Sequence, residues 1–393
     1  MIINRPFWQK LIETCWQQRS IIWLVGVRRV GKTTLCQSLP DIEYIDCERP
    51  TVQHELLDPE VFLARKAGKR LVLDEIHCLN NPSQVLKLAA DHYPTVKIIA
   101  TGSSTLGASS KFSDTLTGRK LEVFLTPLLL NEQELFGGQD LAHRFLCGGL
   151  PQQFTASEPS ITAVREWISA YWARDIQELF RVNKFASFKK CIELLFMQSG
   201  GIFEANKFAV PCEVTRQTIA SYVGILEVTN VICVVKPYAK HAQSEITHAP
   251  KVYAFDTGFV CAMRGWQTLR PEDYGLMWEH CVLNELLGAL QLVYRNVHYW
   301  RDRAGHEIDF VLRERGHNDP VTAIECKYRS HSLGSLTDMG GNFAAFRKLH
   351  PHGKNYVVAT DVTQPYNREC EGITLTFVNP QQLIDACRET VLV

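Results

Sequence analysis

The segment VTAIECKYRS, residues 321–330, places a glutamate and a lysine two positions apart in an otherwise apolar run. In a strand, Ala323, Glu325 and Lys327 point to one face, and the residues between them point to the other. Such a half-buried strand has two interpretations. The pair is either a solvated ion pair or part of a metal-dependent site in which both groups reach one phosphate.

Two further acids favour the metal site. Asp309 lies upstream in GHEIDFVL, and Glu279 lies in the preceding helical segment. Carboxylates of Glu279, Asp309 and Glu325 are hard oxygen ligands suited to Mg²⁺ or Mn²⁺. Glu325 and Lys327 are the candidate catalytic pair, because an ammonium group can orient a water or stabilise charge on a phosphate. Glu307, on the same strand face as Asp309, is a candidate supporting acid.

A second motif is suited to phosphate binding. IIWLVGVRRVGKTTL, residues 21–35, is an apolar strand followed by G-x-x-x-x-G-K-T and a helix-forming stretch. Glycines at this spacing let backbone N–H groups surround phosphates at a helix N-terminus. The predicted nucleotide-binding residues are Gly26, Gly31, Lys32, Thr33 and Thr34. Lys32 reaches the outer phosphates and Thr33 ligates Mg²⁺ in such loops. Arg28 and Arg29 face solvent, a partner or a phosphate.

Acidic residues follow the next buried-type strand. In KRLVLDEIHCL, Asp74 and Glu75 close the apolar run, where ligand-binding groups of doubly wound sheets lie. Asp74 is predicted to hold Mg²⁺, and Glu75 to polarise the attacking water as a catalytic residue. After a third strand, TVKIIATGSS, the polar residues Thr101, Ser103 and Ser104 fit a sensor of the terminal phosphate or an ordinary turn. Ser103 is the residue we assign to the nucleotide site.

The composition excludes some classes of protein. The 393 residues include 42 Lys plus Arg and 42 Asp plus Glu, so a globally basic, histone-like nucleic-acid binder is not expected. The thirteen cysteines are scattered without C-x-x-C pairs, unlike a zinc site or a disulfide framework. MIINRPFWQK lacks the regions of a signal peptide, and no apolar run reaches about 18 residues. We expect a cytoplasmic protein with no membrane partner.

The middle of the chain has the pattern of a winged helix. Three helical segments, the last capped by Thr215, precede the strand-like runs VICVVKPY and KVYAFD. Its exposed helix positions are Arg216, Gln217, Thr218 and Ser221. Residues 184–251 include eight basic and five acidic residues, a modest excess. The module therefore either contacts DNA or serves as a spacer between domains.

Taken together, these motifs resemble the prokaryotic AAA-type ATPases that have a C-terminal domain of unknown function. The resemblance rests on GVRRVGKTTL, LVLDEIH, IIATGSS, LTGRKLEVFLTPLLLNEQEL, CGGLPQQF, YWARDIQELF, KVYAFDTGF, LMWEHCVLNELL and GHEIDFVL…AIECKY. It implies that Arg119 is either an arginine finger acting on a neighbouring subunit or a structural salt bridge. Arg174 would contact nucleotide or pair locally with Asp175. The family usually has proline where this chain has Val27. A finger acting in trans implies a homo-oligomer.

The C-terminal order of helix, strand, turn, strand and strand is similar to the restriction-endonuclease-like fold, with Glu325-x-Lys327 as its loose PD-(D/E)xK motif. We expect an α/β multidomain protein: a P-loop AAA-type doubly wound sheet (1–155), a helical lid (156–185), a winged-helix-like module (186–265) and the nuclease-like domain (266–393). We expect the protein to bind and hydrolyse ATP with Mg²⁺ and to act on nucleic acid, of which DNA is the first candidate. The alternative is an ATP-dependent switch or signalling NTPase that binds DNA or protein without cutting.

Overall fold

The computed structural model describes residues 3–102, 115–177, 184–239, 249–292, 296–314, 320–330 and 335–388. Ser103, the predicted phosphate sensor, lies outside these residues.

The first sheet follows the predicted plan. Its strands are β1 (Ile21–Val25), β2 (Ile42–Asp46), β3 (Arg70–Asp74), β4 (Lys97–Ala100) and β5 (Lys120–Phe124). Their spatial order is β2-β3-β4-β1-β5, and every neighbouring pair is parallel. Parallel strands all end at one edge, so the residues that follow β1, β3 and β4 are brought together there. This mixed α/β architecture with a parallel N-terminal sheet is confirmed.

Helices cover both faces of this sheet. They are α1 (Pro6–Gln18), α2 (Lys32–Gln37), α3 (Pro50–Glu55), α4 (Pro59–Arg65) and α5 (Pro82–His92). The central strands are apolar and buried along their length, as expected for strands covered on two sides. Trp8, Ile12 and Trp16 form the buried face of α1 at helical spacing.

A helical segment continues from the first sheet. It contains a 3₁₀ turn (Leu130–Phe136), then α6 (Leu141–Cys147), α7 (Pro151–Phe154) and α8 (Ile161–Tyr171). A π-helical turn, Trp172–Ile176, extends α8. Such turns interrupt the regular hydrogen-bond ladder and are frequent at functional sites.

The middle of the chain contains three helices and a hairpin. The helices are α9 (Phe185–Met197), α10 (Ala205–Ala209) and α11 (Arg216–Val228). The Thr215 hydroxyl accepts a hydrogen bond from Thr218 N at 3.2 Å, so the predicted cap is confirmed. The strands are β6 (Gly201–Ile202), β7 (Ile232–Pro237) and β8 (Lys251–Ala254), with β8 antiparallel to both others. The short helix α12 (Thr257–Arg264) follows.

The remainder of the chain extends the same sheet. It adds β9 (Val297–Arg301), β10 (Glu307–Arg313), β11 (Val321–Cys326), β12 (Asn355–Val358), β13 (Tyr366–Cys370) and β14 (Ile373–Val378). Its helices are α13 (Asp273–Ala289), α14 (Ser335–Leu349) and α15 (Pro380–Arg388). The predicted strand, turn and strand around residues 303–305 are confirmed by the antiparallel pairing of β9 with β10.

One nine-stranded sheet spans the middle and C-terminal parts of the chain, in the order β13-β14-β12-β11-β10-β9-β7-β8-β6. The joint is a short parallel pairing of β7 with β9, in which Lys236 lies opposite His298. A single hydrophobic cluster also extends from Trp8 in α1 to Cys387 in α15. The middle and C-terminal units expected from the sequence therefore share one sheet, and all the expected units contribute to one core. No helix in the described ranges is long and apolar enough to cross a membrane.

The long helix α13 attaches the nine-stranded sheet to the first one. Gln291, just beyond its end, pairs through its side-chain amide with the backbone of the edge strand β5, accepting from Phe124 N at 2.8 Å and donating to Phe124 O at 3.2 Å. Glu285 accepts a hydrogen bond from Leu130 N at 2.8 Å. Because Glu285 is buried, its pKa is raised to about 7, partly offset by the Leu130 N–H.

The Glu285 contact predicts a pH-dependent stability. A carboxyl with a raised pKa in the folded state stabilises the fold below its unfolded pKa, near 4.5, and loses that contribution as the pH rises through about 7. Glu285→Gln keeps the acceptor but cannot ionise. We expect wild type to lose on the order of 3 kcal/mol relative to this variant between pH 4.5 and 8.

Urea unfolding of both proteins across this range measures the difference. Glu166→Gln, an exposed glutamate on α8, is the control and should show no such trend. Parallel pH profiles for wild type and Glu285→Gln would contradict the expected ionisation.

Candidate functional site

The loop between β1 and α2 has the backbone that phosphate binding requires. Gly26 has φ 150° and Gly31 has φ 101°, conformations that favour glycine. A Cβ on Gly26 would lie 2.4 Å from Leu125 O, so a side chain is excluded there. Gly31 is the N-cap of α2, and Lys32 is the first helical residue. The predicted glycines are thus the positions that shape the loop.

Lys32 lies across the inside of this loop. Its Nζ donates to Gly26 O at 2.8 Å and Val27 O at 3.3 Å. Burial lowers the pKa of Lys32, while the nearby Glu75, Asp175 and Asp74 act in the opposite direction. A cation held among backbone groups of a glycine loop is placed to meet incoming phosphate oxygens.

Asp74 at the end of β3 is the centre of the polar edge. It is buried, and its Oδ2 accepts from Thr33 Oγ1 at 3.2 Å. The hydroxyls of Tyr44 and Thr101 also donate to this carboxylate. Thr33 and Asp74 offer a hydroxyl and a carboxylate oxygen side by side, a donor set that fits Mg²⁺ together with water and phosphate ligands. Tyr44 was not identified from the sequence, since nothing in IEYID distinguishes it from a packing residue.

Glu75 adopts a left-handed backbone conformation with φ 50°. Its N–H donates to Thr101 Oγ1 at 3.2 Å, and its carboxylate lies 3.2 Å from His77 Nδ1. The hydrogen bond from His77 lowers the pKa of Glu75 despite partial burial, and it raises the pKa of His77. Glu75 is therefore an anionic carboxylate beside the Asp74 site, where it can orient a water.

The helical segment contacts the phosphate loop directly. Arg28 Nη1 lies 3.5 Å from Asp175 Oδ2 in the π-helical turn, and Trp167 Nε1 donates to Arg28 O at 3.0 Å. Burial raises the pKa of Asp175. The sequence suggested a local pair of Arg174 with Asp175, and this interpretation is wrong. The turn directs Asp175 towards the loop, where Arg28 is its partner.

A cavity of about 220 Å³ opens beside the same loop. Its lining includes Ile3, Gly31, Thr34 and Phe136, and Arg5 is fixed at its edge. Arg5 makes a two-bond ion pair with Glu132, with both N–O distances 2.7 Å, and its Nη1 donates to Val30 O at 3.3 Å. Thr34, predicted to bind nucleotide, therefore faces a partly apolar space next to the phosphate loop.

Arg119 lies away from this chain's own phosphate loop. Arg119 precedes β5, which runs parallel to β1. It therefore lies at the N-terminal ends of the strands, whereas the phosphate loop follows the C-terminal end of β1. Arg119 Nε lies 2.7 Å from Asp91 Oδ1 at the surface. At this position Arg119 is partly exposed and does not reach the nucleotide site of the same chain.

In the nine-stranded sheet, Asp309 and Glu325 come together on neighbouring strands. Phe310 pairs with Ile324, and Asp309 Oδ2 accepts from Cys326 N at 2.7 Å. The interpretation of β11 as a half-buried strand is wrong, because all six of its residues are buried. Glu325 is 5% exposed, which also rules out a solvated ion pair. The apolar residues on both faces of VTAIEC are the sequence signal for this burial.

Glu325 has one free oxygen. Its Oε1 lies 2.8 Å from Lys327 Nζ, and its buried Oε2 accepts no hydrogen bond within the described part of the chain. Burial and the neighbouring Asp309 raise the pKa of Glu325 to about 8, with Lys327 opposing. Burial and Glu279 raise the pKa of Asp309 to about 7. Burial is the larger cause of both shifts, and each carboxyl also lies near another acid.

Glu279 of α13 is engaged by two residues of β8. Its Oε1 lies 3.3 Å from Lys251 Nζ and accepts from the Tyr253 hydroxyl. Lys251 Nζ also lies 2.5 Å from Glu307 Oε1. Burial alone would lower the pKa of Lys251, but Glu279, Asp309 and Glu307 raise it. Neither Lys251 nor Tyr253 was identified from the sequence, although their period-two spacing places them on one face of KVYA.

The donor set fits one hard divalent cation. Across the described ranges, no three His, Cys, Asp or Glu side chains converge closely enough to hold a metal by themselves. Mg²⁺ is commonly held by one or two carboxylates and completed by water and substrate phosphate. Asp309 and Glu325, with its unpartnered oxygen, match that pattern. Glu279 as a direct ligand stays a prediction, since its carboxylate here binds Lys251 and Tyr253.

Comparison with known proteins divides the chain into three matched segments. Residues 18–134 match a family described as an AAA domain. Residues 138–270 and 274–377 match two domains of unknown function, DUF8612 and DUF4143. No curated protein matches the chain.

Solved structures are similar at low identity. A P-loop NTPase domain of a sigma-54 transport activator from E. coli is 19% identical over 30% of this chain and 95% of its own, with a TM-score of 0.22. AMPPCP-bound DnaA from Aquifex aeolicus is 11% identical over 56% and 86%, with a TM-score of 0.30. A STAND protein from Pyrococcus horikoshii is 11% identical over 72% and 46%, with a TM-score of 0.28. The AAA family match covers the segment that contains the parallel sheet and the phosphate loop.

Proposed function

We propose that this protein is an oligomeric AAA-type ATPase that acts on nucleic acid, first of all DNA, through a Mg²⁺-dependent nuclease-like site in its C-terminal part. The observation that carries the ATPase proposal is the 3.2 Å contact between Thr33 and Asp74, beside Lys32 in its glycine loop. Lys32 and Thr33 begin α2 and Asp74 ends β3, and together they form a place for a triphosphate and its metal.

Each residue has a role in the proposed hydrolysis. Lys32 and the loop N–H groups bind the phosphates, and Glu75 orients a water and accepts its proton as the new oxygen–phosphorus bond forms. The bond from the γ-phosphorus to the β-phosphate oxygen breaks, leaving ADP and phosphate. Mg²⁺ held by Thr33 and Asp74 would supply charge neutralisation on the phosphates.

The C-terminal proposal rests on Asp309, Glu325 and Lys327. Asp309 and Glu325 would hold Mg²⁺ or Mn²⁺, which would polarise a phosphodiester and increase the acidity of a bound water. Lys327, 2.8 Å from Glu325, would position that water or the phosphate. The proposed domain limits remain 1–155, 156–185, 186–265 and 266–393. The winged-helix-like module would contribute DNA contacts through the exposed Arg216 and Gln217.

A second candidate is an ATP-dependent switch that binds DNA or protein without cutting it. The pairing of Glu279 with Lys251 favours this alternative, because it leaves the cluster with fewer free ligands. The two candidates differ in whether DNA is cleaved, and both use the same nucleotide site.

Lys32→Ala tests the nucleotide site. Loss of a charge-assisted contact of about 1.5–3 kcal/mol predicts about 10- to 100-fold weaker binding of a non-hydrolysable ATP analogue, with hydrolysis abolished. Calorimetric titration and phosphate release measure the two effects. The exposed Lys10→Ala is the control, and unchanged affinity of Lys32→Ala would refute the loop assignment.

Lys327→Ala and Asp309→Asn test the C-terminal site. We expect wild type to cleave plasmid or single-stranded DNA with Mg²⁺ or Mn²⁺, and both variants to lose at least about 10-fold in rate. Lys348→Ala, an exposed lysine on α14, should behave as wild type. Equal cutting by all four proteins would reject this site. Salt-sensitive DNA binding without any cutting by wild type would favour the switch.

Arg119→Ala tests the finger in trans. We expect its ATP hydrolysis to fall by about 10³-fold while ATP affinity is kept. Asp91→Ala removes the partner of Arg119 and separates the alternatives, because a purely structural ion pair predicts equal losses in both variants. Mixing Arg119→Ala with Lys32→Ala subunits should restore hydrolysis, and failure to do so would contradict a finger in trans.

A further inference from the structure

Lys251 is one of two cations in the C-terminal carboxylate cluster, although it belongs to a different part of the chain. It comes from β8 of the hairpin in the middle module, whereas the acids lie on α13, β10 and β11. Only 5% of Lys251 is exposed, and its Nζ lies 5.6 Å from the centroid of the Tyr299 ring. A buried ammonium group is costly unless it is fully paired, so this placement requires its carboxylate partners.

The contacts of Lys251 are those of a bridging cation. Its Nζ lies 2.5 Å from Glu307 Oε1 and 3.3 Å from Glu279 Oε1, and the Tyr253 hydroxyl donates to the same Glu279 oxygen. One positive centre thus links carboxylates from a helix and a strand. A divalent metal ion in a two-metal site links carboxylates in the same way.

The charges of the cluster leave room for one further cation. Two ammonium groups, Lys251 and Lys327, face four carboxylates: Glu279, Glu307, Asp309 and Glu325. Arg301 lies 3.6 Å from the other Glu307 oxygen, but it is 47% exposed and largely screened by water. With all four carboxylates ionised, the excess of two negative charges equals one divalent cation, and the buried Glu325 Oε2 accepts no hydrogen bond from the described residues.

We propose that the Lys251 ammonium occupies one of two cation positions in this cluster, so that the site takes one divalent metal ion at Asp309 and Glu325 and excludes a second at Glu279 and Glu307. This inference rests on the proposed function, which supplies the first metal ion. It makes Lys251 a positioning residue that holds Glu279 and Glu307, and it makes the middle module part of the C-terminal site.

The test counts Mn²⁺ ions bound to the full chain, by electron paramagnetic resonance at pH 8 without nucleotide. An Asp74→Asn background removes the N-terminal metal ligand. The parent should bind one Mn²⁺ per chain, and Lys251→Arg, which keeps the charge, should also bind one. Lys251→Met should bind two, and Lys251→Met/Glu279→Gln should return to one.

The outcomes separate the two proposals. One Mn²⁺ in both the parent and Lys251→Met overturns the role of Lys251 and leaves the proposed metal at Asp309 intact. No Mn²⁺ in either overturns both. If Lys251→Met binds Mn²⁺ and the parent does not, Lys251 fills a cation position, but the metal ion that the proposed function requires at Asp309 and Glu325 is not bound.

A second variant controls for the possibility that Lys251→Met does not fold. Lys251→Gln is also neutral, and its amide can still donate to Glu279. Mn²⁺ should raise its thermal unfolding midpoint more than it raises that of the parent. An equal or smaller rise counts against the proposal, even where Lys251→Met does not fold.

Discussion

Burial of carboxylates is the constraint on which the arrangement of this molecule depends. A carboxylate removed from water is strongly unfavourable unless it is paired or hydrogen-bonded. Two buried acids satisfy this requirement with partners from distant segments. Glu132 binds Arg5, and Asp256 accepts from Gly149 N at 2.6 Å while lying 3.8 Å from Arg144. Breaking any of these links would leave a buried charge, so they fix how the segments pack.

The same constraint organises the phosphate loop. Arg5, held by Glu132, donates to the loop at Val30, and Asp175 of the helical segment faces Arg28 on the loop's other side. The loop therefore has contacts with the first helix and with the π-helical turn. A change in the charge at the loop, such as the arrival of a triphosphate, would act directly on the Arg28–Asp175 pair. The parallel sheet alone would not connect the phosphate loop to the π-helical turn.

In the nine-stranded sheet, the constraint joins the middle and C-terminal parts. Lys251 and Tyr253 from β8 both contact Glu279 from α13, across a joint that also includes the pairing of β7 with β9. The C-terminal cluster is thus built from two matched segments of the chain rather than one. A C-terminal fragment cut at residue 265 would lack the cation that holds Glu279.

Local sequence determined the residues whose roles depend on their neighbours in the chain. The glycines and Lys32 of the phosphate loop, the Thr215 cap and the strand ending in Asp74 were predicted because backbone conformation, capping and strand burial are local properties. The parallel sheet then brings Thr33 to Asp74, as the strand order implies. The strand β11 was misjudged as half-buried although apolar residues on both faces of VTAIEC indicate burial, and α13 and α14 contribute side chains that cover it.

Only the tertiary structure decided the partners of the buried charges. Arg174 is adjacent to Asp175 in sequence, yet Asp175 meets Arg28, because the π-helical turn aims it at the loop. Lys251 looks like an ordinary strand residue, yet it lies among carboxylates from other elements. The sequence by itself determined which groups are charged and which segments form strands and helices. Which charges meet depends on burial, and burial is set by the packing of segments far apart in the chain.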